Sequence, residues 1–248
     1  MSCAAMQEQD PIVEARAVLA SAKRILILTG AGISAESGVP TFRGEGGYWR
    51  NKSFEELASP VTFKRDPRLV WDWYLMRRQT VSGCRPNAAH RAMADWSEIA
   101  RWTRDVQLIT QNVDGLHESA GHTDVIRLHG SLWRNQCTKC GQEREEKSLN
   151  YERLPVSPCC GALERPAIVW FGEALPIKPM AMAYRTCLAC EAVLVVGTSG
   201  IVMPAASLVS RAKERGSIVI DVNPEDDAVS AHIKLRGPAA TLVPAILA

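Results

Sequence analysis

The chain has little of what marks a nucleic-acid-binding or membrane protein. Its 248 residues carry 29 Lys and Arg against 27 Asp and Glu, a net charge of +2. It has no run of five or more basic residues, so a nucleic-acid partner would find no electrostatic footprint. Long apolar runs are missing too. Residues 192–209 come nearest, but Thr198, Ser199, Gly200, Pro204 and Ser207 interrupt them, short of the roughly 20 apolar residues that a spanning helix needs. The opening stretch MSCAAMQEQDPIVEARAV carries acids where a secretion signal carries bases, and it has no long apolar centre. Internal repeats and low-complexity segments are also lacking. The expectation is a cytoplasmic protein with no nucleic-acid or membrane partner. Its eight cysteines are then expected to be reduced, as ligands or core fillers rather than a disulfide framework.

What is present is an ordinary globular composition, 46% apolar and 23% charged, long enough for one large domain with a small insert. Short β-rich runs recur at 24–30, 106–112, 125–130, 167–173, 192–199 and 217–225. Helical patterns at 11–22, 67–82, 87–101, 177–189 and 203–215 separate them. Near-continuous apolar strands alternating with helices predict an α/β fold, a parallel sheet covered on both faces. In such sheets ligands collect at the carboxyl ends of the strands. Those ends carry Gly30, Gln111, Asn112, Asp114, His129, Gly172, Glu173, Thr198, Ser199 and Asn223.

The first strand runs into ILILTGAGISAESGVPTFRG (25–44). Glycines at 30 and 32 would let the backbone approach a pyrophosphate, and the helix start after them would offer it free N–H groups. Ala35 stands where a third glycine is common. The continuation does not fit a hydride-transfer enzyme: Pro40, Phe42 and Arg43 come next, with no second strand ending in an acid for the adenosine ribose.

Residues 131–166 hold CTKC (137–140) and, eighteen residues on, CC (159–160). A CxxC turn points two thiolates at one centre, and zinc prefers tetrahedral sulfur ligation. The second pair departs from CxxC, with Ser157 three residues before Cys160. Four thiolates from Cys137, Cys140, Cys159 and Cys160 are expected to hold Zn2+; three thiolates and a water, or no metal, is the alternative. Cys187 and Cys190 lead into an apolar strand without a partner pair and read as core packing.

Taken in order, GAGISAESGVPTFRG (30–44), QNVDGLHESAG (111–121), LHGS (128–131), the CxxC module, RPAIVWFGE (165–173), VVGTS (195–199) and DVNPE (221–225) resemble the sirtuins, NAD-dependent protein lysine deacylases. The resemblance spans about residues 20–245. It implies a Rossmann-like parallel-sheet domain from residues 1–44, 101–130 and 167–248. A helical insert at 45–100 would supply the cofactor loop and acyl pocket, and 131–166 would be the zinc-binding module. It also explains the missing acid, because in sirtuins the glycosidic bond of NAD is cleaved and no hydride moves.

The resemblance implies an NAD site of four parts. The first is Gly30, Ala31, Gly32, Ser34, Ala35, Thr41, Phe42, Arg43, Tyr48 and Trp49. The second is Gln111, Asn112, Val113 and Asp114, and the third Gly197, Thr198 and Ser199. The last is Asn223, Pro224, Glu225 and Ala239. It makes His129 and Asn112 catalytic, His129 as the base that takes a proton from a ribose hydroxyl; an unperturbed imidazole, near pKa 6.5, suits that task. Acyl-lysine peptides would add as a strand between VWFGE (169–173), with Val169, Phe171, Gly172 and Glu173, and GTSGIVMP (197–204). His117 reads as helix packing, and His90, His122 and His232 show no pattern.

One pair points to the acyl group. Tyr74 and Arg77 lie three apart on a predicted helix and so face one side. Sirtuins that remove succinyl and malonyl groups show this Tyr-x-x-Arg pattern, in which a guanidinium can grip a distal carboxylate. Ala58, a small residue that leaves room, and Thr41 fit the same subgroup, while Glu45 departs from it. On residues alone, a core tyrosine beside a surface arginine is the plainer reading. The activity implied is removal of succinyl, malonyl and acetyl groups from lysine, with protein ADP-ribosylation as the alternative.

Overall fold

A computed structural model describes residues 10–41, 48–49, 52–200, 203–225 and 229–248. Helix α1 (Pro11–Ser21) starts where the Asp10 carboxylate accepts from the Ile12 amide at 2.9 Å, with proline in the first turn. Strand β1 (Arg24–Thr29), α2 (Gly32–Ala35), β2 (Tyr48–Trp49) and β3 (Lys52–Ser53) come after it. Four helices are next: α3 (Phe54–Leu57), α4 (Pro60–Arg65), α5 (Pro67–Gly83) and α6 (Ala88–Ala100). The middle of the chain is β4 (Asp105–Thr110), α7 (Leu116–Ser119), β5 (Val125–Arg127), β6 (Gly130–Cys137), β7 (Glu143–Glu145) and β8 (Glu164–Ile168). It ends with α8 (Ile177–Ala189), β9 (Ala192–Val196), α9 (Ala205–Glu214), β10 (Ile218–Asn223), β11 (Ile233–Arg236) and α10 (Ala239–Leu247).

Six parallel strands form the main sheet in the order β11-β10-β9-β1-β4-β5. Every residue of β9 is buried, as befits a strand covered on both faces. On one face Leu19, Ile27, Met93, Leu194, Ile220 and Val243 bring α1, α6 and α10 against the sheet. On the other, Leu26, Leu28, Ala183, Val193 and Leu208 bring in α8 and α9. Cys187 and Cys190 lie in this second layer, where burial pushes the Cys187 thiol up to about 11, so packing is their role. The chain winds outward in both directions from the β1–β9 pair. That is the topological switch point at which such a sheet opens a ligand crevice.

The run at 167–173 does not join this sheet. β8 pairs antiparallel with β6 in a three-stranded sheet ordered β7-β6-β8. Pro166 has no N–H to give a central strand and sits on an edge. Gly130 allows the crossing: its φ is +84°, and a Cβ there would lie 2.1 Å from the Ala167 carbonyl oxygen. The sixth place in the main sheet goes to β11, too short to stand out in sequence. A third core ties the helices to the small sheet through Leu57, Trp71, Tyr74, Leu132, Ile168 and Trp170.

Candidate functional site

At the switch point two loops touch backbone to backbone. The Gly30 amide donates to Val196 O at 3.1 Å, Gly32 to Gly197 O at 2.8 Å, and Gly197 to Val222 O at 3.0 Å. A Cβ on Gly32 would lie 2.7 Å from the Gly197 Cα, and one on Gly197, whose φ is +62°, 2.2 Å from the Ile33 nitrogen. These glycines are therefore fixed by the contact between the loops. The expected free amides at the helix start are mostly engaged: besides Gly32, Ile33 donates to Gly30 O and Ser34 to Ala31 O. An anion would meet a tight backbone floor here rather than an open helix end.

Above that floor lies a buried polar network. Asn112 Nδ2 donates to Gly30 O at 3.1 Å and to Ser34 Oγ at 3.2 Å. Ser34 Oγ donates to Asp114 Oδ2 at 2.8 Å, while Asp114 Oδ1 accepts the Leu116 amide at 2.9 Å. Burial raises the Asp114 carboxyl, against these hydrogen bonds. Gln111 Nε2 donates to Thr198 Oγ1 at 2.9 Å, tying the β4 end to the β9 end. His129 Nδ1 lies 3.1 Å from Gln111 O. A carbonyl only accepts, so Nδ1 carries the proton and Nε2 keeps its lone pair. Burial lowers the His129 pKa, against the pull of that hydrogen bond. The ring is a neutral base at pH 7.

The structure buries His117 on α7, in keeping with its reading as helix packing, and joins to it two histidines that showed no pattern in the sequence. His90 Nε2 reaches Ser34 Oγ at 3.4 Å, and His117 Nε2 reaches Thr29 Oγ1 at 2.9 Å. Their rings are 4.9 Å apart, and His122 stands 5.6 Å beyond His117. Local sequence signals only the helix cap in which His90 Nδ1 meets Asn87, three residues before it; the serine on α2 and the threonine on β1 are distant in the chain.

On the acyl side, Tyr74, Ala58 and Val113 share the third core. Tyr74 is buried, and its hydroxyl accepts from Trp170 Nε1 at 2.9 Å. The Arg77 guanidinium lies 5.0 Å from the Trp73 ring and 5.6 Å from the Tyr74 ring. Burial lowers its pKa, and the nearby Asp114 carboxylate is among the groups that oppose that. The pair thus stands beside the network. Ala58 O accepts the Phe171 amide at 3.0 Å, and His129 O accepts the Val169 amide at 3.0 Å. Gly172, with φ +84°, lets the chain turn back, and Phe171 and Gly172 stay exposed. Glu173 is held in a two-pronged pair with Arg165, at 2.5 and 2.8 Å, and accepts the Trp170 amide at 2.8 Å. Its carboxylate shapes this turn.

At the far end of the crevice Asn223 is buried and donates to Asp221 Oδ1 at 2.5 Å, while Arg236 pairs with Asp221 at 2.9 Å. Pro224 and Glu225 are exposed on the next bend, Ser199 is half-buried, and Ala239 opens α10. In the glycine loop Ala31 and Thr41 are half-buried and Ala35 is exposed. Tyr48 and Trp49 form β2, paired with β3. Phe42, Arg43 and Glu45 lie outside the described residues.

The four module cysteines converge, their Sγ atoms all within 4.8 Å of one another. Cys137 and Cys160 sulfurs are 3.4 Å apart, and Cys140 and Cys159 3.0 Å. Four thiolates at about 2.3 Å from a tetrahedral zinc would stand about 3.8 Å apart, so the donor set fits that ion. Ser157 Oγ sits 3.0 Å from Cys159 Sγ.

Residues 30–204 match the family model described as the Sir2 family. A protein of Aquifex aeolicus named NAD-dependent protein deacylase is 48% identical over 221 residues, covering 88% of this chain and 91% of that one. The fold superposes on a Sir2 homolog crystallised with NAD at a TM-score of 0.90 and 42% identity, over 97% of this chain and 93% of that one. A Sir2 protein bound to a myristoylated histone peptide matches at 0.77 and 32% identity, over 97% and 96%.

Proposed function

The chain belongs to the Sir2 family, and we propose that it is an NAD-dependent protein-lysine deacylase that accepts succinyl and malonyl as well as acetyl groups. The observation that carries the reading is the His129 ring, neutral, with Nδ1 bonded to Gln111 O and Nε2 left as a base. The similarity to a Sir2–NAD complex and a peptide-bound Sir2 protein supports the cofactor and partner class.

NAD, when bound, would supply a ribose carbon that takes the acyl oxygen as its bond to nicotinamide breaks; one water is then consumed as the amide C–N bond breaks, so that the products are free lysine, nicotinamide and O-acyl-ADP-ribose. The residues Gly30, Gly32, Gly197 and Thr198 would floor the pyrophosphate side, and Asn223 to Glu225 with Ala239 the adenosine side. Asn112, Ser34 and Asp114, already linked to one another, would orient the nicotinamide end. His129 Nε2 takes a proton from a ribose hydroxyl, a step worth about 10² to 10⁴ in rate. Arg77 would pair with the distal carboxylate of a succinyl group, helped by the Tyr74 hydroxyl. The substrate backbone would add beside Val169 and Phe171, with main-chain pairing and little sequence demand.

We divide the chain into the parallel-sheet domain, the helices of 45–100 and the zinc module at 131–166, and assign it to the cytoplasm, where its thiols stay reduced. Among the described residues no helix is long and apolar enough to cross a membrane. Mass spectrometry of a succinyl-lysine peptide incubated with NAD tests the reading. Loss of the acyl mass with nicotinamide release is expected. ADP-ribose attached to protein would instead favour the transferase alternative.

A further inference from the structure

We propose that Trp170 is a positioning residue for acyl-chain selection: its indole N–H binds the Tyr74 oxygen and thereby commits the phenol's own proton to an anionic group entering beside Arg77. This rests on the reading of Tyr74 and Arg77 as the acyl pocket. Hydrogen-bond direction is decisive here. An indole nitrogen can only donate, so at 2.9 Å the Tyr74 oxygen is the acceptor. Its hydrogen must then be donated elsewhere. Both residues are buried, at 1% and 2% exposure, so water cannot take it up freely. Among the described residues no group accepts it.

A buried donor left without an acceptor costs free energy that a ligand acceptor returns. The neighbouring cation decides the ligand's sign. Arg77 sits over the Tyr74 ring, so an acceptor that also carries negative charge gains twice. Burial raises the phenol to about 12, so it keeps the proton it must donate. Acetyl has no group to meet this pair; a carboxylate-ended acyl chain has.

Trp170 is itself held in place. The Arg165 guanidinium lies 3.5 Å from its ring centroid, and Arg165 is locked to Glu173, which also accepts the Trp170 amide. Phe63 packs on the ring at 5.2 Å. The indole therefore cannot swing away when the pocket fills, and the phenol cannot reverse its hydrogen bond.

The test compares kcat/KM for succinyl- and acetyl-lysine versions of one peptide. Trp170→Phe keeps a ring and removes the N–H. The succinyl-to-acetyl ratio should fall about tenfold, the size of one hydrogen bond to a charged group, and the fall should lie in KM. Tyr74→Phe should lower the ratio as much, and the double variant should be no worse than Tyr74→Phe alone. Equal loss on both peptides, or additive losses, overturns the inference. If Trp170→Phe does not fold, Tyr74→Phe decides, since it keeps every ring: an unchanged ratio sinks the idea. Arg77→Met separates the two levels. An unchanged ratio there removes the pocket reading itself, whereas a selective loss at Arg77 with none at Trp170 removes this inference alone.

Discussion

The crevice floor and the zinc module both fix loops in place, by opposite means. At the floor the contacts are main chain against main chain, with the Gly197 Cα so close to Gly32 that no side chain fits at either position. In the module two turns of like shape present sulfur. The Gly141 amide closes on Cys137 O at 3.1 Å, and the Gly161 amide closes on Ser157 O at 2.8 Å. Both glycines have φ near +70°, at 71° and 69°. Residue 157 thus occupies in the second turn the place Cys137 holds in the first, yet it is serine, and the thiol has moved to 159. A floor built of backbone tolerates no such move. A metal met by flexible side chains does, because a shifted thiolate can still reach a shared centre.

The floor breaks most severely at its chemistry. His129→Gln keeps a hydrogen-bonding group near Gln111 O but removes the base, and kcat should fall by about 10² to 10⁴ while the protein still binds NAD. Steady-state rates together with NAD titration check this; a loss below tenfold would mean that another group takes the proton.

The module should break more gradually. Cys159→Ser should lower zinc content below one per chain, because three thiolates hold the ion less well than four. Adding Ser157→Cys to that variant rebuilds a CxxC turn and should restore full content. Zinc measured on the purified variants reads the result. If the single variant keeps its zinc in full, Cys159 is not a ligand; if the double variant gains nothing, the two turns are not equivalent. Stripping zinc with a chelator should melt the small sheet first, since its turns expose three of the four sulfur residues and have little core of their own.

The same contrast explains what the sequence could tell. Apolar runs that stop at a glycine or a polar residue mark the strand ends, because a buried run must end where the chain turns, so the positions of Gly30, Gln111 to Asp114, Thr198 and Asn223 were legible. Helical spacing put Tyr74 and Arg77 on one face, though their pairing as an acyl pocket came from the resemblance, and CxxC showed Cys137 with Cys140. The contacts that set direction were not. Trp170 meets Tyr74 across 96 residues, β8 leaves the main sheet through a clash avoided at Gly130, and Ser157 matches Cys137 only in three dimensions. Each is a tertiary pairing with no local period to announce it.

The smallest effect expected joins the floor to the solution around it. His90, His117 and His122 pack ring to ring behind Ser34 and Thr29. Burial lowers all three pKa values, His90 to about 4. An unfolded histidine titrates near 6.5, so on acidification the unfolded chain takes up protons first. Stability should therefore be full above about pH 6.5 and decline as pH falls from there toward 4. Asp114 and Asp221, whose carboxyls burial raises, act in the opposite sense, so the cluster must be read by difference. His122→Gln removes one titrating ring without touching Ser34 or Thr29. Between pH 7 and pH 5 the wild-type melting temperature should fall by about 3–5 °C more than that of the variant. Parallel curves would show that the cluster titrates alike in both states, and the floor would then be insulated from acid, as its main-chain contacts are from side-chain change.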